Sequence, residues 1–243
     1  MILLAIDAGN SRIKWGLHDG EAWTRQSWLQ TAAAGALASE LGGLPPPDTI
    51  LASNVAGAAV EEALAAALGA YTPAVRWIRS KARQCGVTSS YDDPERLGAD
   101  RWAALIGAWH LFHGPCAVVS VGTTMTVDAL SGDGVFLGGF IVPGVDLMRE
   151  SLTRGTAQLK LQRGTFTYFP ASTPDAIMSG IVNALTGAIE RMLDFMAQTG
   201  QVSPLAVLSG GSAEMVAAQL NARYELVDNL VLEGLLRIAL SGE

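Results

Sequence analysis

The stretch Ile2-Leu3-Leu4-Ala5-Ile6-Asp7-Ala8-Gly9-Asn10-Ser11 runs an apolar segment into a carboxylate and a turn of small side chains. Five apolar residues in a row suit a strand buried on both faces. The small residues that follow let the backbone approach a ligand closely, and Asn10 tolerates a positive φ. Ser11–His18 reads as a second strand and Glu21–Leu29 as a third, with Asp19-Gly20 between them as a hairpin signal.

The same pattern returns after the break His113-Gly114-Pro115. Cys116–Val121 is an apolar strand, Gly122-Thr123-Thr124 a glycine turn, and Thr126–Leu130 and Val135–Val142 two more strands around a turn at Ser131–Gly134. Between the two copies, helices are expected at Thr31–Leu41, Ala58–Leu68 and Arg101–Leu111, and strands at Thr49–Ser53 and Val75–Ile78. Beyond the second copy, helices are expected at Val145–Leu152, Pro174–Thr199, Ala213–Leu220 and Val231–Leu240, with a strand at Leu205–Leu208. The repetition divides the chain into two related α/β lobes, 1–113 and 114–243. A single continuous α/β domain is the alternative.

The chain has 243 residues, of which 49% are hydrophobic and 16% charged, enough to bury a sizeable core. A net charge of −7 argues against nucleic acid or an anionic membrane as partner, because both call for clustered Lys and Arg. A polyphosphate ligand stays open, since backbone N–H groups, one Lys and a metal ion can meet its charge locally. Two isolated cysteines, Cys85 and Cys116, fit a reducing compartment better than a disulfide scaffold. The apolar start lacks a basic leader and meets Asp7 too early for a signal peptide, and no apolar run is long enough to span a bilayer. A cytoplasmic protein is expected.

Three constellations could carry chemistry. Asp7 at the end of the first strand could hold hydrated Mg²⁺, with the Ser11 hydroxyl and Lys14 nearby; a plain hairpin turn is the structural alternative. Ser120-Val121-Gly122-Thr123-Thr124-Met125-Thr126-Val127-Asp128 offers hydroxyls and exposed N–H groups suited to phosphate, or is simply a threonine-rich strand. Gly98-Ala99-Asp100-Arg101 opens a helix whose dipole favours an ionised Asp100. That carboxylate could take a proton from a hydroxyl nucleophile, and Arg101 could grip a carboxylate with two prongs. A capping Asp beside a surface Arg is the structural alternative. Glycines in Gly138-Gly139-Phe140-Ile141-Val142-Pro143-Gly144 and in Ser209-Gly210-Gly211-Ser212 invite close approach of another segment.

The chain has no Gly-x4-Gly-Lys-Ser/Thr loop, no Gly-x-Gly-x-x-Gly and no Gly-x-Ser-x-Gly. His110, His113 and Cys116 have a spacing that permits a metal site, but no second cluster accompanies them.

Taken in order, Asp7-Ala8-Gly9-Asn10-Ser11 with Lys14 and Gly16, Gly98-Ala99-Asp100-Arg101, Gly122-Thr123 with Asp128, and Gly138-Gly139-x-Ile141-x-Pro143-Gly144 resemble the type III pantothenate kinases of the acetate kinase, sugar kinase and actin superfamily. The resemblance covers nearly the whole chain. It implies an α/β fold of two ribonuclease-H-like lobes, an actin-like ATPase duplication with an ATP cleft between them. It further implies homodimers and transfer of the ATP γ-phosphoryl group to the primary hydroxyl of pantothenate, the first step of coenzyme A synthesis.

Carried over by position, Asp7, Ala8, Gly9, Asn10, Ser11, Arg12, Ile13, Lys14 and Thr123 match ATP-binding residues, and Asp100 the proton acceptor. Tyr91, Gly98, Ala99, Asp100, Arg101 and Thr173 match pantothenate-binding residues. Ser120 stands where the family often has an Asp linked to a monovalent cation, K⁺ or NH₄⁺, and a neutral hydroxyl holds such a cation less strongly. A kinase of another small hydroxylated substrate and a nucleotide-binding accessory protein of the same fold are the competing readings.

Overall fold

The computed structural model describes residues 1–71, 73–155 and 163–243. The chain forms two compact units, Met1–His113 with Asn229–Glu243, and Gly114–Asp228.

Unit 1 contains β1 Leu3–Ala8, β2 Arg12–His18, β3 Trp23–Gln30, α1 Leu37–Glu40, β4 Thr49–Asn54, α2 Ala58–Ala67, β5 Arg76–Trp77, β6 Arg83–Gln84, β7 Val87–Ser89 and α3 Ala99–Phe112. Its main sheet has the order β3-β2-β1-β4-β5. The first three strands form an antiparallel meander, and β4 joins β1 in parallel. One face packs Leu4, Ile6, Ile13 and Trp15 against Leu37, Leu64 and Leu68. Leu3 and Ala5, pointing the other way along β1, are also fully buried, which explains why β1 is a continuous apolar run rather than an alternating one. The Asp19-Gly20 hairpin forms as expected: Gly20 has a φ of 108°, and Asp19 Oδ1 accepts from the backbone N–H groups of Glu21 and Ala22.

Unit 2 contains β8 Cys116–Val121, β9 Thr124–Leu130, β10 Val135–Pro143, α4 Val145–Gly155, α5 Thr173–Gln198, β11 Leu205–Ser209, α6 Ala213–Ala217 and β12 Tyr224–Leu226. Its strands run β10-β9-β8-β11-β12, again an antiparallel meander followed by two parallel partners. Strand for strand this is the plan of unit 1, and it is the ribonuclease-H-like plan that the resemblance implies. Residues Ile181, Val182, Leu185 and Ile189 of α5 pack against the inward side chains of β8, β9 and β11.

The last helix, α7 Leu230–Ser241, corrects the assignment of residues 114–243 to one lobe. It packs on α3, β1 and β4 of unit 1. Glycines make the helix crossing close: a Cβ on Gly107 would stand 2.6 Å from the Leu230 carbonyl oxygen, and one on Gly234 would strike the Ala103 backbone. The expected helix Thr31–Leu41 is a 3-10 segment, Thr31–Ala36, followed by the four-residue α1. Among the described residues no helix is long and apolar enough to cross a membrane, and both cysteines are free thiols.

Candidate functional site

In unit 1 the sheet pairing sets Asp7 between two polar neighbours. Its register partner on β2 is Lys14 and its partner on β4 is Ser53. The Ser53 hydroxyl, buried, donates to Asp7 Oδ1 at 2.8 Å. Burial first, and the negative charge of Asp100 second, push the Asp7 carboxyl up from 3.8 to about 6; Ser53 and Lys14 oppose that rise.

Asp100 is in the first turn of α3, after Gly98 at the N-cap. Its Oδ1 accepts from the Arg101 backbone N–H at 2.8 Å. A Cβ at Gly98 would stand 2.7 Å from that same Oδ1, so a larger residue there would push the Asp100 carboxylate aside. The peptide before it is tied down by the buried Ser80 hydroxyl, which donates to the Leu97 carbonyl at 2.6 Å. Burial raises the Asp100 pKa, partly offset by the Arg101 backbone N–H and guanidinium. The Arg101 side chain is only 8% exposed, and its Nη1 donates to the Tyr91 hydroxyl at 3.3 Å.

Unit 1 therefore brings together Asp7, Lys14, Asp100, Arg101, Tyr91 and Gly98 from segments far apart in sequence. The Asp7-to-Lys14 loop lies at one end of that sheet, with Asn10, Ser11 and Arg12 exposed. Asn10 keeps a negative φ, since the non-glycine residues with positive φ among those described are Cys85, His113, Ser203 and Asn229. Arg12 stacks its guanidinium over the Trp28 ring at 4.2 Å.

Unit 2 holds the remaining candidates. The Gly122-Thr123 turn is clamped by the Gly144 N–H, which donates to the Thr123 carbonyl at 2.9 Å, and by the Ser212 N–H, which donates to the Val121 carbonyl at 3.2 Å. The close approach expected of the glycine segments occurs at Gly144 and Gly210, where a Cβ would strike the backbone of Gly122 and Val121. Ser120 is a register partner of Ser209 on β11. Thr173 opens α5, where Ser172 caps the helix and binds Asp175 Oδ2 at 2.6 Å. It borders a pocket of about 470 Å³ lined by Met148, Leu152, Ile177 and Ile181.

The donor set at Asp7 consists of hard oxygens from one carboxylate and one hydroxyl, with a second carboxylate close enough to act on it. That set fits Mg²⁺, which takes one or two carboxylates and completes its octahedron with water and phosphate oxygens. Among the described residues there is no cluster of three or more His, Cys, Asp or Glu that could hold a metal ion. The His110–His113 pair is a ring contact at a helix end, with His113 in the left-handed conformation. At Ser120 the oxygen is neutral.

Ser53, Ser80 and Thr31, which donate to Asp7, Leu97 and Gly9, lie outside every motif quoted above. A polar residue ending the apolar run Thr49–Ser53 was the available signal for Ser53, but only the β1–β4 register shows that it faces Asp7.

Residues 3–194 match the sequence profile of the family described as type III pantothenate kinase. A type III pantothenate kinase of Nitrosospira multiformis is 46% identical over 238 residues, covering 98% of this chain and 91% of the relative. Among solved structures, a Sinorhizobium meliloti protein described as a 2-dehydro-3-deoxygalactonokinase superposes with a TM-score of 0.65 at 17% identity, over 98% of both chains. The ADPNP-bound activator of 2-hydroxyisocaproyl-CoA dehydratase from Clostridium difficile superposes with a TM-score of 0.53 at 13% identity, over 99% of this chain and 94% of that one. These likenesses establish the two-lobed α/β fold of the actin-like and sugar kinase ATPases.

Proposed function

The chain belongs to the type III pantothenate kinase family, and we propose that it transfers the γ-phosphoryl group of ATP to the primary hydroxyl of pantothenate, giving 4'-phosphopantothenate in coenzyme A biosynthesis. The observation that carries the mechanism is Asp100, half-buried in the first turn of α3 beside the Arg101–Tyr91 pair.

The reaction is an in-line displacement. The pantothenate hydroxyl oxygen attacks the γ-phosphorus while its proton passes to the Asp100 carboxylate. The bond from the γ-phosphorus to the β–γ bridging oxygen breaks, and ADP leaves with the electron pair. A half-buried Asp100 with a raised pKa is a stronger base than a solvated Asp, and the Arg101 backbone N–H and guanidinium favour its ionised form. Arg101, always charged, holds the pantothenate carboxylate, with Tyr91 fixing the guanidinium. Gly98 and Ala99 leave room for the substrate, and Thr173 in unit 2 matches a further pantothenate-binding position of the family.

Asp7 through Lys14 in unit 1 match ATP-binding positions of the family, and Thr123 in unit 2 matches another. Asp7 and Ser53 are the residues that would hold Mg²⁺, which when bound offsets phosphate charge. Ser120 supplies no charge, and no step of the mechanism uses K⁺ or NH₄⁺. A homodimer in the cytoplasm completes the proposal, supported by family membership.

A panel of small hydroxylated acids tests substrate identity. Pantothenate should give the highest kcat/KM with ATP, and a higher value for any other member of the panel would reassign the substrate.

A further inference from the structure

We infer that Thr31 is a positioning residue for the ATP phosphates, acting through the loop Gly9–Arg12; the inference rests on the reading of that loop as the phosphate holder. Thr31 follows directly after β3, outside every motif that singled out the site. Its Oγ1 donates to the Gly9 carbonyl at 2.7 Å, and its backbone N–H donates to the Ser11 carbonyl at 3.1 Å. Within the loop the Gly9 N–H donates to the Arg12 carbonyl at 3.1 Å. The carbonyls of Gly9, Ser11 and Arg12 are thus all engaged inside the protein.

That matters for an anion. A carbonyl oxygen carries partial negative charge and repels phosphate. In a planar trans peptide the C=O and the following N–H point in opposite directions. When the Thr31 hydroxyl holds the Gly9 oxygen, the Asn10 N–H of the same peptide unit is turned away from Thr31, at a loop tip whose Asn10, Ser11 and Arg12 are exposed. Without the hydroxyl, that peptide is free to rotate and present its oxygen instead. The fit is tight: a Cβ on Gly9 would stand 3.2 Å from the Arg12 carbonyl oxygen.

The test compares Thr31→Val, which keeps shape and backbone N–H but loses the hydroxyl, with Thr31→Ser, which keeps it. Mg·ATP affinity is measured by calorimetry, alongside KM for ATP, KM for pantothenate and kcat. Thr31→Val should weaken Mg·ATP binding by roughly 10-fold and raise KM for ATP with KM for pantothenate unchanged, while Thr31→Ser stays within about 2-fold of wild type. Should Thr31→Val fail to fold, Thr31→Cys, with a weak thiol donor in place of the hydroxyl, is read the same way. Wild-type Mg·ATP affinity in the variant lacking the hydroxyl overturns the inference. Gly9→Val separates the two readings. If it abolishes Mg·ATP binding while Thr31→Val does not, only the role of Thr31 falls; if it too binds normally, the loop's role falls with it.

Discussion

Ser53 donates its hydroxyl proton to Oδ1 of Asp7 at 2.8 Å across the parallel pairing of β4 with β1. This bond favours the ionised form of a carboxyl that burial and Asp100 otherwise drive toward protonation. Removing it in Ser53→Ala should raise the Asp7 pKa above its present value of about 6. The acidic limb of the pH profile of kcat/KM should therefore move to higher pH. An unmoved limb would show that Asp7 is not the group that must ionise.

Asp7 also makes stability depend on pH. Its carboxyl titrates near 3.8 in the unfolded chain and at about 6 in the folded one, so the folded state binds a proton more tightly in that window. The cost of ionising Asp7 is absent below the unfolded value, grows as pH rises through the window and is complete above the folded value. Asp7→Asn, neutral throughout, should melt higher than wild type in metal-free buffer at about pH 8 and lose that advantage by about pH 4. It should also lose catalysis. Thermal melts across pH check this, and equal melting at the alkaline end would contradict it.

Arg101 and Tyr91 predict a different signature. Arg101→Ala should raise KM for pantothenate by on the order of 10²-fold, the scale of a charge-assisted two-pronged contact, with KM for ATP little changed. Tyr91→Phe, which removes only the hydroxyl that accepts from Nη1, should shift the same constant by less, about 5-fold. A change confined to KM for ATP would break the assignment of Arg101 to the substrate carboxylate.

The α3–α7 crossing predicts a purely structural effect. Gly234→Ala puts a methyl group into the Ala103 backbone and should destabilise the protein by about 1–3 kcal/mol or more. Gly35→Ala, where a Cβ meets nothing within 4 Å, should be far milder. Chemical denaturation of both variants reads the difference.

The strand meanders and the helices at Ala58, Ala99 and Thr173 were legible because their apolar residues repeat with a clear period. The loop at Asp7 and the pair Asp100-Arg101 were legible because small residues and charges follow directly on apolar runs. What was hidden depends on pairing and packing. The strand β6 is two residues long and β12 is exposed along its length, so neither run shows a period. Thr31–Leu41 looked helical from its alanines, but its first six residues wind as a 3-10 segment that Gly35 does nothing to extend. Nothing in the local sequence of α7 says which unit receives it; that choice is made by Gly107 and Gly234 meeting across the helices. Ser53 takes its contact from strand register and Thr31 from a bond to a loop distant in sequence, neither of which a linear pattern encodes.

The most direct test of the account follows ADP and 4'-phosphopantothenate together, with and without pantothenate, in the wild type and in Asp100→Asn. The wild type should form the two products in equal amounts and turn over little ATP without pantothenate. Asp100→Asn should bind both substrates nearly as well and lose turnover by roughly 10²-fold or more. Asp100→Asn turning over like the wild type, or a wild type that binds ATP tightly yet never phosphorylates pantothenate, would contradict the account.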